Sequence, residues 1–443
     1  MKINRLEIKN FKKFSDYTLD LHPQFTLLIG DNGTGKTSIL DALAIAAGVW
    51  LVNSPDTTLN YSRRNILRTE IRLEAISIDS ITQFIERTPT QIKAIGTIND
   101  QPVQWLRQIK ENSSRTSNTE AKEALDIISK LFKQVAAGAQ IWLPVMAYYG
   151  AGRSGTTSSQ RAITYISPSR RWDAFYDCFE ERISTSRLNT WFQKEAIASV
   201  KRQGQMRSGY KVVKLAILRC IPNADDLWFD GDRGEIVIAI DGQPQPFSNL
   251  SAGQKMMVAL IADLAIKIVT QNAAFLPEEI DIENQELPQV LQQTTGLVMI
   301  DEIDVHLHPK WQRQVVDDLK TTFPSIQFVC TTHSPQVIGQ LQSEEIRILQ
   351  GESQSDHFAK TPQKGLGMDS SWILENIMGT LARDPETTQR LDHIFNLIDR
   401  NDYVLAREQI NYLSKDRGGI FPDLQEASSL IDRLELLGAY EKD

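Results

Sequence analysis

The sequence predicts an α/β protein with a mostly parallel sheet, antiparallel strands at the amino terminus, an inserted helical lid and a helical carboxy-terminal tail. The apolar run FTLLIG is followed by GDNGTGKTS and then by SILDALAIAAG, whose apolar residues recur at helical spacing, so strand, glycine loop and helix follow one another. The runs GLVMIDE and SIQFVCTTHS end in polar residues, as strands of a buried parallel sheet do when the chemistry lies at their carboxyl ends.

The first half of the chain opens with two short strands, KINRLEIKNF and YTLDLH, ahead of the buried strand FTLLIG. Further along, EAKEALDIISKLFKQVAAGA predicts an amphipathic helix, and helical patterns return in WDAFYDCFEERI and TWFQKEAIASVKRQ. No heptad pattern is sustained in this region, which excludes long coiled-coil arms.

In the second half, EIVIAI is a strand by its β-branched content, and LSAGQ at 250–254 opens a helix. Residues 277–288 are acidic and predict an exposed insertion. After residue 350 the pattern is helical. The last predicted helix carries an apolar stripe formed by Leu424, Ala427, Ile431 and Leu434. This stripe either packs on its own domain, which is the interpretation we favour, or binds a partner.

These elements predict four segments. An amino-terminal lobe spans 1–150, a basic helical lid spans 151–221, and a carboxy-terminal lobe spans 222–350. The helical region 351–443 is left for assembly or partner docking.

Composition narrows the class of protein. With 41% hydrophobic and 23% charged residues, the chain has the composition of an ordinary globular protein. The charged residues at the amino terminus are not followed by the apolar segment that a signal peptide has. No apolar stretch approaches the roughly 20 residues that a membrane helix needs. The three cysteines have no metal-binding spacing, and an odd, sparse count suits a reducing compartment. We therefore expect a cytoplasmic protein without a membrane span.

The glycine loop is the strongest chemical signal in the sequence. Residues 30–37 have the spacing GxxxxGKT, in which backbone amides wrap phosphates, Lys36 reaches the β and γ oxygens, and the Thr37 hydroxyl binds magnesium. The predicted nucleotide contacts are therefore Gly30, Asp31, Asn32, Gly33, Thr34, Gly35, Lys36, Thr37 and Ser38.

Two later strand ends supply the acids and a histidine. Asp301 ends a buried strand and can hold the magnesium together with Thr37. Glu302, one position on, is the candidate general base for the attacking water. His333 follows the next strand and is expected near the γ-phosphate, which makes Glu302 and His333 the predicted catalytic residues.

The segment LSAGQ predicts a second anion site, because a helix that starts there presents the backbone amides of its first turn to solvent. Its predicted nucleotide contacts are Ser251, Ala252, Gly253 and Gln254. The glycine loop already encloses one side of its own ATP, so this site is free to face the nucleotide of a second copy. Two copies related by a twofold axis would then bury two ATP molecules between them.

The order GDNGTGKT, LSAGQ, LVMIDE, TTHSP resembles that of the ATP-binding-cassette ATPases. The resemblance implies that Asp304 lies in the loop that crosses the dimer interface. The opening LEIKNFKKF and the segment DEIDVHLHPKWQ look like the head domains of SMC-like and RecF-like proteins. YYGAGR and GMDSSWILENIMGTLAR are similar to the ATPases of the Septu anti-phage system and its retron-associated relatives.

This resemblance implies ATP and Mg²⁺ as cofactors, a homodimer or larger homo-oligomer, and a separately encoded partner nuclease of the HNH type. Lys12 and Lys13 stand where related proteins carry an arginine near the nucleotide. The sequence shows no clear counterpart of the Q-loop glutamine of such ATPases; Gln140 is one candidate, and YYGAGR occupies the region where this residue is expected. His306 and His308 are expected in a structural turn and not in a metal site.

Three alternatives stay open. The first is a DNA repair or maintenance ATPase of the SMC-like and RecF-like group, and the second is a scaffold that ATP stabilises with little hydrolysis. The third is that the protein binds DNA or RNA, because residues 153–220 carry 13 Lys/Arg against 5 Asp/Glu. The arginines nominated to contact nucleic acid are Arg63, Arg64, Arg170 and Arg171.

Overall fold

The computed structural model describes most of the chain, namely residues 1–54, 56, 59, 62–78, 81–154, 171–282, 286–350 and 358–440. It divides into two compact units, Met1–Met368 and Asp369–Asp443. The predicted boundary at 350/351 borders residues 351–357, which lie outside the described part. Residues 155–170 of the predicted lid and 283–285 of the acidic insertion also lie outside it. The four-segment division therefore stays a prediction.

The first unit contains fourteen strands among the described residues. They are β1 Lys2–Phe11, β2 Phe14–Asp20, β3 Phe25–Ile29, β4 Leu73–Ile78, β5 Ile81–Glu86, β6 Thr90–Ile98, β7 Gln101–Ile109, β8 Val145–Tyr149, β9 Ala224–Asp230, β10 Glu235–Ile240, β11 Gln243–Pro246, β12 Gly296–Ile300, β13 Ile326–Thr331 and β14 Ile346–Ile348.

The helices of the first unit, apart from short 3₁₀ turns, are α1 Lys36–Ala47, α2 Lys122–Ala136, α3 Thr185–Val200, α4 Ser208–Cys220, α5 Ala252–Gln271, α6 Gln289–Gln293, α7 Pro309–Gln312, α8 Val315–Thr322 and α9 Pro335–Ile338. The second unit contains α10 Ser370–Asn376, α11 Pro385–Asp399, α12 Tyr403–Asp416 and α13 Pro422–Tyr440.

The central sheet has five strands in the order β14-β3-β13-β12-β8, and all its pairs are parallel. Strands β3, β8, β12 and β13 are buried along their whole length, which is why they read as continuous apolar runs. Parallel strands end at one edge, so the glycine loop after β3, Asp301 after β12 and His333 after β13 share the same edge of the sheet. This arrangement positions the candidate site.

A second, antiparallel sheet has the order β2-β1-β6-β7. Strand β6 alternates buried and partly buried residues without interruption, so one of its faces packs on the core. The predicted fold class, a mostly parallel sheet with antiparallel amino-terminal strands and a helical end, is confirmed. The strands β4 to β7 were not predicted individually, because the region 54–140 has weak periodicity.

One helix prediction is wrong. The pattern WDAFYDCFEERI gives only a 3₁₀ turn, Asp173–Phe175, followed by irregular backbone. This backbone runs along the outer edge of β8, where the amide of Tyr148 donates to the Cys178 carbonyl and the amide of Gly150 to the Glu181 carbonyl. Tertiary pairing with an edge strand has overridden the local helical pattern.

The second unit has its own hydrophobic core, formed by apolar residues of α11, α12 and α13. Of the predicted stripe on the last helix, Leu424, Ala427 and Ile431 are fully buried in this core and Leu434 packs against it. The stripe therefore packs on its own domain, as we favoured. Among the described residues, no helix has the length and apolar content needed to cross a membrane.

Candidate nucleotide site

The glycine loop leads from β3 into α1 through left-handed backbone. Gly35 has φ of 100°, and a side chain there would place its Cβ 2.5 Å from Cζ of Phe14, so only glycine fits. Helix α1 begins directly after Gly35 and has no side-chain cap. Its first backbone amides are consequently left for an anion, which is the arrangement that phosphate groups bind.

Lys36 lies folded over this loop. Its ammonium donates to the carbonyl of Gly30 at 2.7 Å and to that of Asp31 at 3.1 Å. Burial lowers the pKa of Lys36, and the carboxylates of Asp301, Asp31 and Glu302 oppose that shift. A cation held only by loop carbonyls in a buried place is well prepared to accept a phosphate.

Asp301 joins the loop to the sheet. Its carboxylate accepts a hydrogen bond of 2.9 Å from the Thr37 hydroxyl and one of 2.6 Å from the Thr331 hydroxyl. The two predicted magnesium ligands, Thr37 and Asp301, therefore lie side by side, and Asp301 is only 7% exposed. Hydroxyl and carboxylate oxygens are the hard ligands that magnesium prefers.

Glu302 is held in an unusual backbone conformation, with φ of 50°. Its amide donates to the Thr331 hydroxyl at 2.7 Å, and the amide of Ile303 donates to the Thr331 carbonyl at 2.9 Å. A non-glycine residue in this region costs roughly 1–3 kcal/mol and persists where the surroundings fix it, as at many functional sites. Asp304, two residues on, accepts a hydrogen bond from the Thr332 hydroxyl.

His333 is exposed at the same edge, between β13 and α9. The neighbouring residue is fixed: the amide of Ser334 donates to the Thr332 hydroxyl at 3.0 Å, and the Ser334 hydroxyl donates to the Gln312 side chain at 2.7 Å. The position of His333 is thus set by its neighbours, and its imidazole faces solvent.

The segment LSAGQ does start a helix, α5. The hydroxyl of Ser251 accepts from the amide of Gln254, and the Gln254 side chain accepts from the amide of Ser251, which forms a capping box. Ala252 is exposed, whereas Gly253 is buried. A side chain on Gly253 would collide with the carbonyl of His306, so the helix start rests on the loop that follows Asp304.

The structure brings together the glycine loop, Asp301, Glu302 and the turn after β13. The hydrogen bonds of the Ser251 and Gln254 side chains are made within the LSAGQ segment, and none joins it to the glycine loop of the same chain in the part of the chain that is described. His308 accepts from the amide of Lys310 with its Nδ1 and caps α7, which supports the structural reading of the two histidines.

The two lysines near the loop differ. The ammonium of Lys13 donates to the carbonyl of Gly33 in the glycine loop at 2.8 Å. That of Lys12 pairs with Asp41 of α1 and with Glu70, at 3.5 Å from the latter. Lys13 is therefore within reach of a bound phosphate, while Lys12 is occupied by two carboxylates.

Gln140 is not where the prediction requires it. It precedes β8, and the parallel register of β8 with β12 places the start of β8 at the edge of the sheet opposite to the glycine loop. The residue at the correct edge is Gly150, which follows the carboxyl end of β8. Gln140 cannot contact the nucleotide from the amino end of this strand.

The arginines nominated for nucleic acid serve the fold instead. Arg63 donates to the carbonyls of Leu51 and Val52, and Arg64 pairs with the carboxylates of Asp41 and Glu70. Arg171 donates to the carbonyls of Gln271, Ala139 and Ile141, and Arg170 lies outside the described residues. Arg63, Arg64 and Arg171 are thus occupied within the fold, and composition cannot distinguish a cation that binds backbone from one that faces solvent.

Sequence reasoning missed Thr331 and Thr332, the hydroxyls that orient Asp301, Glu302 and Asp304. The only signal for them is the pair of threonines in CTTHS. Their role depends on β13 lying next to β12, and neighbouring strands cannot be read from separate runs of sequence.

Comparison with known proteins finds relatives over most of the chain. The chain is 24% identical over 512 aligned residues to Retron Ec83 probable ATPase of Escherichia coli, with 100% of this chain and 89% of that protein covered. It is 23% identical over 401 residues to Retron Vc95 probable ATPase of Vibrio cholerae serotype O1 biovar El Tor, with 79% and 73% covered.

Septu protein PtuA of Bacillus mycoides (strain KBAB4) is 23% identical over 407 residues, covering 89% of this chain and 47% of that protein. The chain thus spans about half the length of this relative. The predicted resemblance to Septu and retron-associated ATPases is confirmed by relatives that carry those names. Because residues 2–356 match the corresponding family model, the chain belongs to the family described as RecF/RecN/SMC N terminal domain.

Proposed function

We propose that the protein binds and hydrolyses ATP together with magnesium. The observation that carries this proposal is the 2.9 Å hydrogen bond from the Thr37 hydroxyl to the Asp301 carboxylate, because it joins the glycine loop to the end of β12. In such sites magnesium takes one or two protein oxygens and completes its shell with phosphate oxygens and water. The residues present fit this requirement.

The roles of the loop residues follow from their chemistry. Backbone amides of the loop and of the first turn of α1 would bind phosphate oxygens, and Lys36 would exchange its loop carbonyls for the β and γ oxygens. Thr37 and Asp301 would hold magnesium, which when bound neutralises part of the phosphate charge. Lys13, beside Gly33, would add positive charge at the outer side of the loop.

Glu302 is the residue that we assign as general base. It directly follows Asp301, and the Thr331 hydroxyl holds both the Asp301 carboxylate and the backbone amide of Glu302. A positioned carboxylate that accepts a proton from attacking water contributes roughly 10²–10⁴ in rate. His333, exposed at the same edge of the sheet, would contact the γ-phosphate.

We further propose that ATP joins two copies of the chain. The start of α5 presents the exposed residues Ser251 and Ala252, and its first amides can accept an anion. The glycine loop of one copy and the α5 start of the other would enclose each nucleotide, with Asp304 at the contact. Dimerisation would then depend on nucleotide, since the phosphates neutralise both anion sites.

The biological role that we propose is regulation of an HNH-type nuclease in an anti-phage complex. The support comes from the relatives, which are named Retron ATPases and Septu protein PtuA. A role in DNA repair or maintenance, which the family description would also allow, has less support, because the described arginines nominated for DNA are occupied within the fold. The cytoplasmic location also belongs to this proposal.

The experiment that tests this function uses Glu302→Gln, which keeps the size of the side chain and removes its basicity. We expect ATP hydrolysis to fall by about 10²-fold or more, because the water is no longer deprotonated. We also expect a stable dimer in Mg-ATP, because the bound nucleotide persists. ATP turnover and molar mass by light scattering would be measured on the same preparations.

Glu344→Gln is the matched control, because Glu344 is an exposed glutamate before β14, at the opposite edge of the same sheet. It should behave as the wild type. Unchanged turnover and unchanged assembly in Glu302→Gln would reject the role of Glu302. A wild-type chain that dimerises with ATP but shows no turnover would instead indicate a nucleotide-stabilised scaffold.

A further inference from the structure

The outer edge of β8 is covered by the irregular segment that replaces the predicted helix at 172–183. Strand β8 is the last strand of the parallel sheet, next to β12. The amide of Tyr148 donates to the carbonyl of Cys178 at 2.8 Å, and the amide of Gly150 donates to that of Glu181 at 2.9 Å. Glu181 is therefore fixed beside the carboxyl end of β8.

Gly150 and Asp301 are neighbours across the sheet. Ile300 pairs with Tyr149, and the amide of Asp301 donates to the carbonyl of Tyr149 at 2.8 Å, so the parallel register continues to the next residue of each strand. Directly paired residues point to the same face, and neighbouring strands lie about 4.8 Å apart. A side chain on Gly150 would therefore stand next to the side chain of Asp301.

That place is filled by Glu181. A Cβ added to Gly150 would lie 2.7 Å from Cβ of Glu181 and 2.9 Å from its carboxylate Oε2. Glycine is required at 150 because Glu181 reaches over it, not because the backbone needs a positive φ. The Glu181 carboxylate thus lies on the face of the sheet that carries Asp301.

A buried tyrosine lies on the same face of the sheet. Tyr148, two residues before Gly150 and on the same face, is 2% exposed, and its hydroxyl has no hydrogen-bond partner among the described residues. Burial raises the pKa of Tyr148, and the carboxylates of Asp41, Asp301 and Glu181 raise it further. The Tyr148 hydroxyl is thus a buried donor without a partner among the described residues, on the face of the sheet that carries Asp301.

Glu181 itself is exposed, and it forms no ion pair with any cation among the residues whose side chains are described, a set that leaves out 153–170 apart from the backbone of 153 and 154. It is a carboxylate at the mouth of the site with capacity to accept hydrogen bonds. Magnesium dehydrates reluctantly and keeps several of its waters, which need acceptors around the ion. Asp301 has limited capacity for this, because Thr37 and Thr331 already donate to its two oxygens and use part of their acceptor sites.

We propose that Glu181 is a further residue of the nucleotide site, which holds magnesium-bound water beside Asp301 while Tyr148 supplies a hydrogen-bond donor to the same water network. This inference rests on the proposed function. If Glu181 has this role, the segment around it belongs to the nucleotide site. The predicted lid, residues 151–221, would then be linked to the nucleotide through the Glu181 side chain.

The test measures how much magnesium the chain needs to be stabilised by a nucleotide. The probe is the non-hydrolysable analogue AMP-PNP at saturation, and the thermal unfolding midpoint is followed as MgCl₂ is added. For Glu181→Ala we expect the half-maximal magnesium concentration to rise by about tenfold or more, in line with outer partners of metal sites, which change affinity by roughly 10–100-fold. The midpoint without nucleotide should not change.

Gly150→Ala is the second variant, because its methyl group would displace the Glu181 side chain without altering any residue that carries a charge. Gly150→Ala should also raise the half-maximal magnesium concentration. Glu180→Ala is the matched control, since Glu180 is the adjacent exposed glutamate and does not contact Gly150. It should follow the wild type.

The outcomes separate the two proposals. If the wild type is stabilised by Mg-AMP-PNP and Glu181→Ala needs no more magnesium than the wild type, this inference is overturned and the proposed ATPase stands. If the wild type shows no stabilisation at any magnesium concentration, the proposed function fails and the inference falls with it. Glu180→Ala matching Glu181→Ala would also overturn the inference.

Discussion

At the scale of single residues, Thr331 determines the geometry of the two acidic residues. Its hydroxyl donates to Asp301 and accepts from the amide of Glu302, so a single oxygen orients the proposed magnesium ligand and the proposed general base. Thr331 is fully buried, and no water replaces these bonds when they are lost. The geometry at the end of β12 therefore depends on a residue of β13.

We predict that Thr331→Val lowers ATP turnover by about 10–100-fold, the usual effect of removing a partner that orients a metal ligand. Valine keeps the shape of threonine, but it leaves one Asp301 oxygen and the Glu302 amide without this partner. The steady-state ATPase rate would be measured beside the thermal midpoint, which reports folding. Thr331→Ser retains the hydroxyl and should keep most of the activity. Wild-type turnover in Thr331→Val would contradict this role.

Residues differ in how well the sequence predicts them. The glycine loop, Asp301, Glu302 and His333 could be predicted because each follows a recognisable apolar run, and parallel strands bring their ends to one edge. Thr331 could not, since its function arises from the order of strands in the sheet. Gln140 was wrong for a related reason: without the direction of β8, the two ends of that strand are indistinguishable.

At the scale of elements, the start of α5 combines a structural and a proposed functional role. Ser251 caps the helix, and Gly253 allows the helix to approach the loop after Asp304. The same first turn is the anion site that would face the nucleotide of a second copy. A substitution can separate these roles only if it keeps the cap and changes the charge.

Ser251→Asp makes that separation, because aspartate and serine cap helices equally well and a negative charge at a helix N-terminus is not destabilising. We predict a thermal midpoint close to that of the wild type without nucleotide, but a dimer in Mg-ATP that is weakened by at least about tenfold. Two like charges near 4 Å apart cost on the order of 1–4 kcal/mol. The measurement is dimer mass against concentration, in a Glu302→Gln background.

Ser251→Asn is the control for this experiment, since asparagine also caps a helix and carries no charge. It should dimerise more tightly than Ser251→Asp. Equal dimerisation of the two variants would show that no phosphate approaches this helix, and the ATP-joined dimer would then have to be abandoned.

Helix α5 is also joined to β8 and to the segment before α3. The buried ammonium of Lys267 lies 2.7 Å from Asp263 and 3.0 Å from Asp177, and the Tyr149 hydroxyl donates to Asp263 at 2.8 Å. Burial alone would lower the pKa of Lys267, but the two carboxylates raise it above its ordinary value. Helix α5, the end of β8 and the segment that carries Glu181 are thus held by one charged network, which no sequence pattern predicts.

At the scale of the whole molecule, the basic region offers fewer free cations than its composition suggests. Arg187 pairs with Asp177, Arg207 with Glu195 at 3.3 Å, and Lys214 with Asp226. Charges that are neutralised within the fold do not release counterions from nucleic acid. The count of basic residues in 153–220 therefore overstates the unpaired positive charge among the described residues of this region, and contact with nucleic acid stays a prediction. The apolar runs, in contrast, predicted the parallel sheet correctly.

The second unit is the candidate for contacts beyond the dimer. It has its own core, and residues 369–443 are net acidic. Arg407 of α12 pairs with Asp432 and Glu435 of α13, which brings the start of α12 close to the end of α13. Val404 and Leu436, one turn from these ion pairs, are 74% and 63% exposed. Exposed apolar side chains rimmed by charges are typical of protein–protein contacts.

We predict that a chain ending at Met368 is stabilised by Mg-ATP and dimerises like the full chain, but forms no larger assembly and does not bind a partner nuclease. Each unit has its own core, so the first should fold without the second. Mass photometry of both chains in Mg-ATP would check this. Val404→Ser with Leu436→Ser in the full chain is the matched variant, because it keeps the core and removes only exposed apolar groups, and it should lose the larger species as well. Full-size assemblies in the shortened chain would show that contacts between dimers lie within residues 1–368.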